Sequence, residues 1–145
     1  MPMIDVYAPA GTFPDSARVA QELAATLMRI EVVPDIPLFR QNTAAFVHEL
    51  PPEALSNVDG DHDRVRVQVL TNAGALDRDQ QLAVVRQLTD VVASAAGDDS
   101  LVDRTWVLLT EAIEGGWGIA GDANTNADLV VLARAQLAEL ADGTS

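Results

Sequence analysis

The chain has 145 residues, enough for one domain or for two small repeats fused into one, and 48 % of them are hydrophobic, which supplies a buried core and argues against wholesale disorder. Its formal net charge of −13 repels polyanions, so nucleic acid and anionic membrane surfaces are excluded as partners. There is no cysteine, which removes disulfides, thiol catalysis and zinc–thiolate sites; all nine basic residues are arginine, so a lysine Schiff base is impossible and any fixed cation in a site must be a guanidinium.

No basic segment followed by an apolar one opens the chain, and no apolar run approaches the roughly 20 residues of a membrane span. The expectation is a soluble, cytoplasmic protein that acts on a small molecule.

After Met1-Pro2, residues 3–8 (MIDVYA) read as a strand. Pro9-Ala10-Gly11-Thr12-Phe13 follows, and then a helix is predicted over about 14–29, with Val19, Leu23 and Leu27 at four-residue spacing. Leu38-Phe39-Arg40-Gln41-Asn42 leads into a second strand over 43–49. Pro51-Pro52 opens a polar linker that contains Asp59-Gly60-Asp61-His62-Asp63. A third strand is expected over 66–70, then Asn72-Ala73-Gly74-Ala75-Leu76, then a helix over about 77–96 with Leu82, Val85, Leu88 and Val92 as its apolar stripe. Asp77 and Asp79 suit that helix's N-terminal dipole, and Gly97 suits its end. A fourth strand spans 105–111, and a Gly-rich segment runs over 115–121. A last helix is expected over about 127–140, with Asn126 as cap and Leu129, Ala133, Leu137 and Leu140 as its stripe; residues 142–145 read as a loose tail.

The order strand, Ala-Gly turn, helix, strand occurs twice, over about 2–50 and 64–121. A helix between two strands makes their pairing parallel. The expected architecture is one α+β domain over 1–145: two tandem β-α-β repeats forming a four-stranded sheet with helices on one face, plus the C-terminal helix. The bare face of such a sheet needs cover, which argues for assembly of several copies. The rival architecture is a ferredoxin-like binding domain, which requires antiparallel pairing within each half.

Met1-Pro2 carries the chemistry. Aminopeptidases remove an initiator Met that precedes a small residue, leaving Pro2 as a secondary amine; in apolar surroundings its protonated form is disfavoured, and it becomes a base working near neutrality. The start Pro2-Met3-Ile4-Asp5-Val6, the doubled β-α-β order, and the strand Trp106-Val107-Leu108-Leu109-Thr110-Glu111 followed by Gly115-Gly116-Trp117-Gly118-Ile119-Ala120-Gly121 together resemble the tautomerase superfamily. That superfamily includes 4-oxalocrotonate tautomerase, macrophage migration inhibitory factor and malonate semialdehyde decarboxylase. The resemblance covers roughly residues 2–121.

It implies a homotrimer in which Pro2 lies in an apolar pocket near a subunit boundary and moves a proton on a keto or enol compound, with no cofactor and no metal. It also implies arginines on the substrate carboxylate and an aromatic wall, for which Trp117 is placed. The chain departs from the pattern at the arginines. Thr12 follows Gly11 and Ala75 follows Gly74 where an arginine would stand; Trp106 aligns with a second, and Asn72-Ala73 occupies the place of the pair found in the dehalogenase and decarboxylase branches. Arg40, beside Phe39 before a strand, and Arg29, at a helix end, are candidates to take over carboxylate binding, together with Asn72. His48 reads as a hydrogen-bonded structural residue, and Tyr7 as a possible donor to an enolate. Asp59, Asp61 and Asp63 have the spacing of a calcium loop but lack its glycine and its closing glutamate.

The expected function is an isomerase of the keto–enol tautomerase kind, with related hydratase or decarboxylase chemistry open. The alternative is an inert or ligand-binding trimeric scaffold of the same fold.

Overall fold

A computed structural model describes residues 1–143. Strand β1 (Met3–Pro9) leads into helix α1 (Ser16–Glu31), a short helix α2 (Pro37–Gln41) and strand β2 (Ala44–Leu50). Strand β3 (Val65–Thr71), helix α3 (Arg78–Ala96) and strand β4 (Thr105–Glu111) repeat the pattern, followed by a small hairpin, β5 (Trp117–Ile119) and β6 (Asp122–Asn124), and helix α4 (Asn126–Gly143).

The sheet order is β2-β1-β3-β4. β1 pairs with β2 and β3 with β4 in parallel, while β1 and β3 run antiparallel, Val6 opposite Val67. Parallel pairing inside each half is what a connecting helix dictates, and it removes the ferredoxin-like alternative. The antiparallel junction relates the halves by a pseudo-twofold axis through the centre of the sheet.

Alternation sorts the sheet's two faces. Ile4, Val6 and Ala8 of β1 and Val65, Val67 and Val69 of β3 are fully buried beneath α1 and α3, against Leu23, Leu27, Val84, Leu88 and Val92. Each such side chain contributes on the order of 1.5–3 kcal/mol of apolar burial. The opposite face is bare of helices and carries Phe46, Leu70, Trp106 and Leu108, all exposed.

Local signals place the helices. Asp15 caps α1 through the Arg18 N–H at 3.1 Å. Asp77 and Gln80 form a reciprocal capping box on α3, and Gly97 ends that helix in the left-handed conformation at φ 64°. Leu88 and Val92 of the expected α3 stripe are buried, whereas Leu82 and Val85 are exposed and Val84 turns inward in their place. Residues 82–92 carry apolar side chains on more than one face, so spacing alone leaves the helix phase open. At α4 the cap is Thr125, whose hydroxyl accepts the Asp128 N–H at 3.1 Å while Asp128 accepts the Thr125 N–H at 2.8 Å. Asn126 is the first helical residue, and its side chain is used elsewhere. The helix continues past the expected end to Gly143, so Ala141 and Asp142 are helical, and residues 144–145 of the expected tail lie outside the described residues. The Gly-rich segment is not a loop throughout: Ala120 and Gly121, at φ 54° and 89°, make the tight turn of the β5–β6 hairpin.

Candidate functional site

A second apolar cluster forms at the end of the sheet where β1 begins. It gathers Met1, Ile36, Phe39, Trp117, Leu129 and Ala133, with Met3, Met28, Val33 and Leu38 packed around them. Three elements distant in sequence meet here. The hairpin contributes Trp117, whose carbonyl accepts the Asn124 side-chain amide at 3.0 Å. The α2 turn contributes Phe39. Helix α4 lies across the top, tied down by Gln136, whose Oε1 accepts the Leu38 N–H at 2.7 Å, and by Asn126, whose amide donates to the Ala73 carbonyl at 2.8 Å and accepts from Asn72 at 2.9 Å.

A pocket of about 360 Å³ opens beside this cluster. Its wall is mostly apolar, from Val33, Pro34, Phe39, Ala75, Leu129, Val130, Ala133 and Leu137; its polar groups are Glu31, Asn72, Asn126 and Arg134, and Met1 lies at its base. Met1 and Pro2 are both buried. The Pro2 carbonyl accepts the Ala44 N–H at 3.2 Å, the first rung of the β1–β2 ladder, which fixes the start of the chain against the sheet.

An ion pair inside the pocket joins the Met1 amine to Glu31 Oε2 at 3.2 Å, with side-chain exposures of 1 % and 3 %. Burial pushes the Glu31 carboxyl above the usual glutamate range, against the pull of the neighbouring amine. Glu31 Oε1 is buried with no hydrogen-bond partner. The chain aims this carboxylate by ending α1 abruptly: Val32 takes the left-handed conformation at φ 56° and ψ 47°, costly for a β-branched residue, and points into solvent at 83 % exposure. The last α1 residue then faces inward.

Of the residues singled out from sequence, Asn72 lines the pocket, and Trp117 belongs to the apolar cluster that includes Met1; Pro2 is buried next to Met1 in the chain, and it is Met1 rather than Pro2 that lines the pocket. Arg29 and Arg40 do not line it. Arg29 is exposed and bonds back to Thr26 Oγ1 at 3.3 Å. Arg40 pairs with Asp35 at 2.8 Å, largely exposed, and borders a separate depression of about 320 Å³ between α1 and β2, with Gln21, Met28 and Thr43. Tyr7 and His48 sit on the open sheet face, where His48 bonds Asp5 at 2.7 Å.

Sequence reading missed Glu31, Phe39, Asn126 and Arg134. Glu31 left a trace, as the sole carboxylate in the apolar run Met28–Val33. Arg134 left none, because an arginine on a helix is ordinarily solvated. Among the described residues no group of three or more His, Asp or Glu side chains is arranged to hold a metal ion, and no helix is long and apolar enough to cross a membrane.

A doubled β-α-β sheet with a pocket over its buried N-terminus defines a known class of α+β domain. No protein-family model matches the chain, and no curated protein matches it. Solved structures do match. A native fused 4-OT aligns with a TM-score of 0.68 over 83 % of this chain and 94 % of its own, at 20 % identity. N1, a member of the cis-3-chloroacrylic acid dehalogenase family, aligns at 0.68 over 97 % and 99 %, at 21 % identity. A macrophage migration inhibitory factor-like protein from Entamoeba histolytica aligns at 0.63 over 86 % and 97 %, at 15 % identity. The fold is that of the tautomerase superfamily, in its fused, doubled form.

Proposed function

We propose that this chain is a tautomerase-like enzyme that moves a proton on a small, carboxylate-bearing keto or enol compound through the free amine of Pro2. The observation that carries the reading is the burial of Met1-Pro2, with Met1 lining an apolar pocket whose charged wall residues are Glu31 and Arg134. Removal of Met1 empties part of that pocket and leaves nitrogen 2 as a secondary amine at the start of the chain beside it. An amine there exchanges protons with a carbon held a few ångströms away, the geometry that general acid–base catalysis requires.

Substrate orientation falls to several groups. Arg134, which has no ion-pair partner among the described residues, offers a guanidinium at the pocket wall for the carboxylate. Asn72 and Asn126, already bonded to each other, offer amide dipoles for the keto or enol oxygen. Trp117 supports the apolar side. Arg29 and Arg40 lie outside this pocket within one chain, so a part for them requires a neighbouring subunit's pocket.

The working form is a homotrimer in the cytoplasm. Support comes from the open sheet face, with Phe46, Leu70, Trp106 and Leu108 exposed, and from two fused 4-OT structures described as trimers, one asymmetric and one symmetric.

One observation favours the second reading, an inert or ligand-binding scaffold. The Met1 amine is already satisfied by Glu31, and a chain that keeps Met1 has an amide at position 2, which is no base. Intact-mass measurement of the isolated protein separates the two. The expected mass lacks Met1, and Pro2→Ala in that chain abolishes ketonisation of an aryl enolpyruvate while oligomer size stays unchanged. Retained Met1, or undiminished turnover by Pro2→Ala, overturns the enzymatic reading.

A further inference from the structure

We propose that Glu31 is the positioning residue of the Pro2 amine, the buried counter-ion that holds it protonated in the resting protein. The inference rests on the reading that Met1 is removed and Pro2 is the working amine.

The first support is geometric. Nitrogen 1 lies 3.2 Å from Glu31 Oε2. Nitrogen 2 is three covalent bonds further along, a span of at most about 3.7 Å, so it lies within about 7 Å of the same oxygen before any adjustment. Loss of Met1 leaves the shorter approach clear of intervening chain.

The second support is an accounting of polar groups. Among the described residues the Glu31 side chain has a single hydrogen-bond partner, the Met1 amine on Oε2, and its other oxygen is buried with none. When Met1 departs, a carboxylate whose side chain is 3 % exposed with Met1 in place loses its protein donor on one oxygen and has none on the other. A buried, unpaired carboxylate either protonates or acquires a new donor. The Pro2 amine is the cation that removal of Met1 creates in the pocket.

The third support is the charge around the pair. Among the groups lining the pocket, α1 supplies Glu31 and α4 supplies Arg134; Asn72 and Asn126 are neutral, and the remaining wall is apolar. Asp35, on the loop that follows α1, is exposed and engaged by Arg40. Glu31 is thus the anion within reach of nitrogen 2, and the apolar wall preserves its field. The pair holds one proton between its two groups across neutral pH, and its titration belongs to both. Pro2 in this state starts as a proton donor to carbon, whereas an amine in an apolar pocket without a counter-ion starts as an acceptor.

The test is titration of the Pro2 nitrogen by NMR in chain of verified mass, labelled at proline. Expected is a midpoint that falls by about one pH unit or more, a tenfold loss of proton affinity, in Glu31→Gln, and that Glu31→Asp largely restores. The alkaline limb of turnover, where the donor loses its proton, shifts with it. A midpoint unmoved by Glu31→Gln overturns the inference. Should Glu31→Gln not fold, the wild-type Glu31 carboxyl carbon carries the same information: it shows a second inflection at the amine midpoint if the two are coupled, and a single step overturns the inference. A mass that includes Met1 removes the reading beneath it instead, so the two failures are distinct.

Discussion

Tyr7 and His48 face each other in register across the parallel β1–β2 pair, their rings stacked with centroids 4.5 Å apart and planes 12° apart. Asp5 fixes the imidazole from below at 2.7 Å, and Arg66 of β3 lies 5.5 Å over the Tyr7 ring. This stack forms a polar patch on the open sheet face. Around it stand Phe46, Leu70, Trp106 and Leu108, apolar and about half exposed. Exposed apolar side chains gathered on one face mark a surface for contact between protein copies. Trp106→Glu therefore turns the assembly into monomers in analytical ultracentrifugation and leaves the far-UV circular dichroism of the monomer intact. An unchanged sedimentation coefficient would place the assembly surface elsewhere.

Arg134 is the guanidinium of the pocket wall, so Arg134→Ala raises KM for a carboxylate substrate about ten- to a hundredfold, the worth of one charge-assisted hydrogen bond of about 1.5–3 kcal/mol. The methyl ester of the same substrate loses far less. Steady-state kinetics on acid and ester, with Arg40→Ala and Arg29→Ala in parallel, separates the three arginines.

Leu23 and Leu88 are fully buried between the helices and the sheet. Replacement of either by Ala costs about 2–5 kcal/mol in urea unfolding. Leu82, 54 % exposed, costs at most about 0.5 kcal/mol when replaced in the same way. Equal costs at positions 82 and 88 would reverse the assigned phase of α3.

Burial raises the Glu31 carboxyl above its ordinary value of 4.5. Between that value and the raised one the folded protein binds more protons than the unfolded chain, so stability declines as pH rises through the window. Glu31→Gln removes this decline. Asp61, Asp98 and Asp128 act in the opposite sense: their carboxyls are lowered from 3.8 by hydrogen bonds to Asn57, Ser100 and Thr125 respectively, so their contribution is complete above that value and fades in stronger acid. Urea midpoints of wild type and Glu31→Gln from pH 4 upward, roughly the start of the carboxylate range, converge at the acid end and diverge with rising pH.

The doubled architecture was legible because its signals are local and occur twice. The Ala-Gly turns, the Asp77 cap and the Gly97 stop each dictate backbone conformation within a few residues. The site was less legible because three separate stretches of chain build it. Pro2, Asn72 and Trp117 could be singled out by position in the repeat. Glu31 depends on Val32 adopting a left-handed conformation that a valine disfavours, and no propensity announces it. Arg134 depends on how α4 crosses the sheet end, which Gln136 and Asn126 fix through partners about 98 and 53 residues away. Arg29 and Arg40 drew attention as lone cations near apolar sequence, yet each finds a neighbour within five positions, Thr26 and Asp35.

The pseudo-twofold axis relates the start of β1 to the start of β3, so the chain around Arg64 stands where the first half has its N-terminus. Nitrogen 64 is a backbone amide whose lone pair is delocalised into the carbonyl before it, and it takes up no proton at ordinary pH. On the proposal that Pro2 is the working amine, one chain with two repeats offers one such amine where two separate chains would offer two. What that end does in this structure is hold the fold: Arg64 there is paired with Asp61 and Asp63.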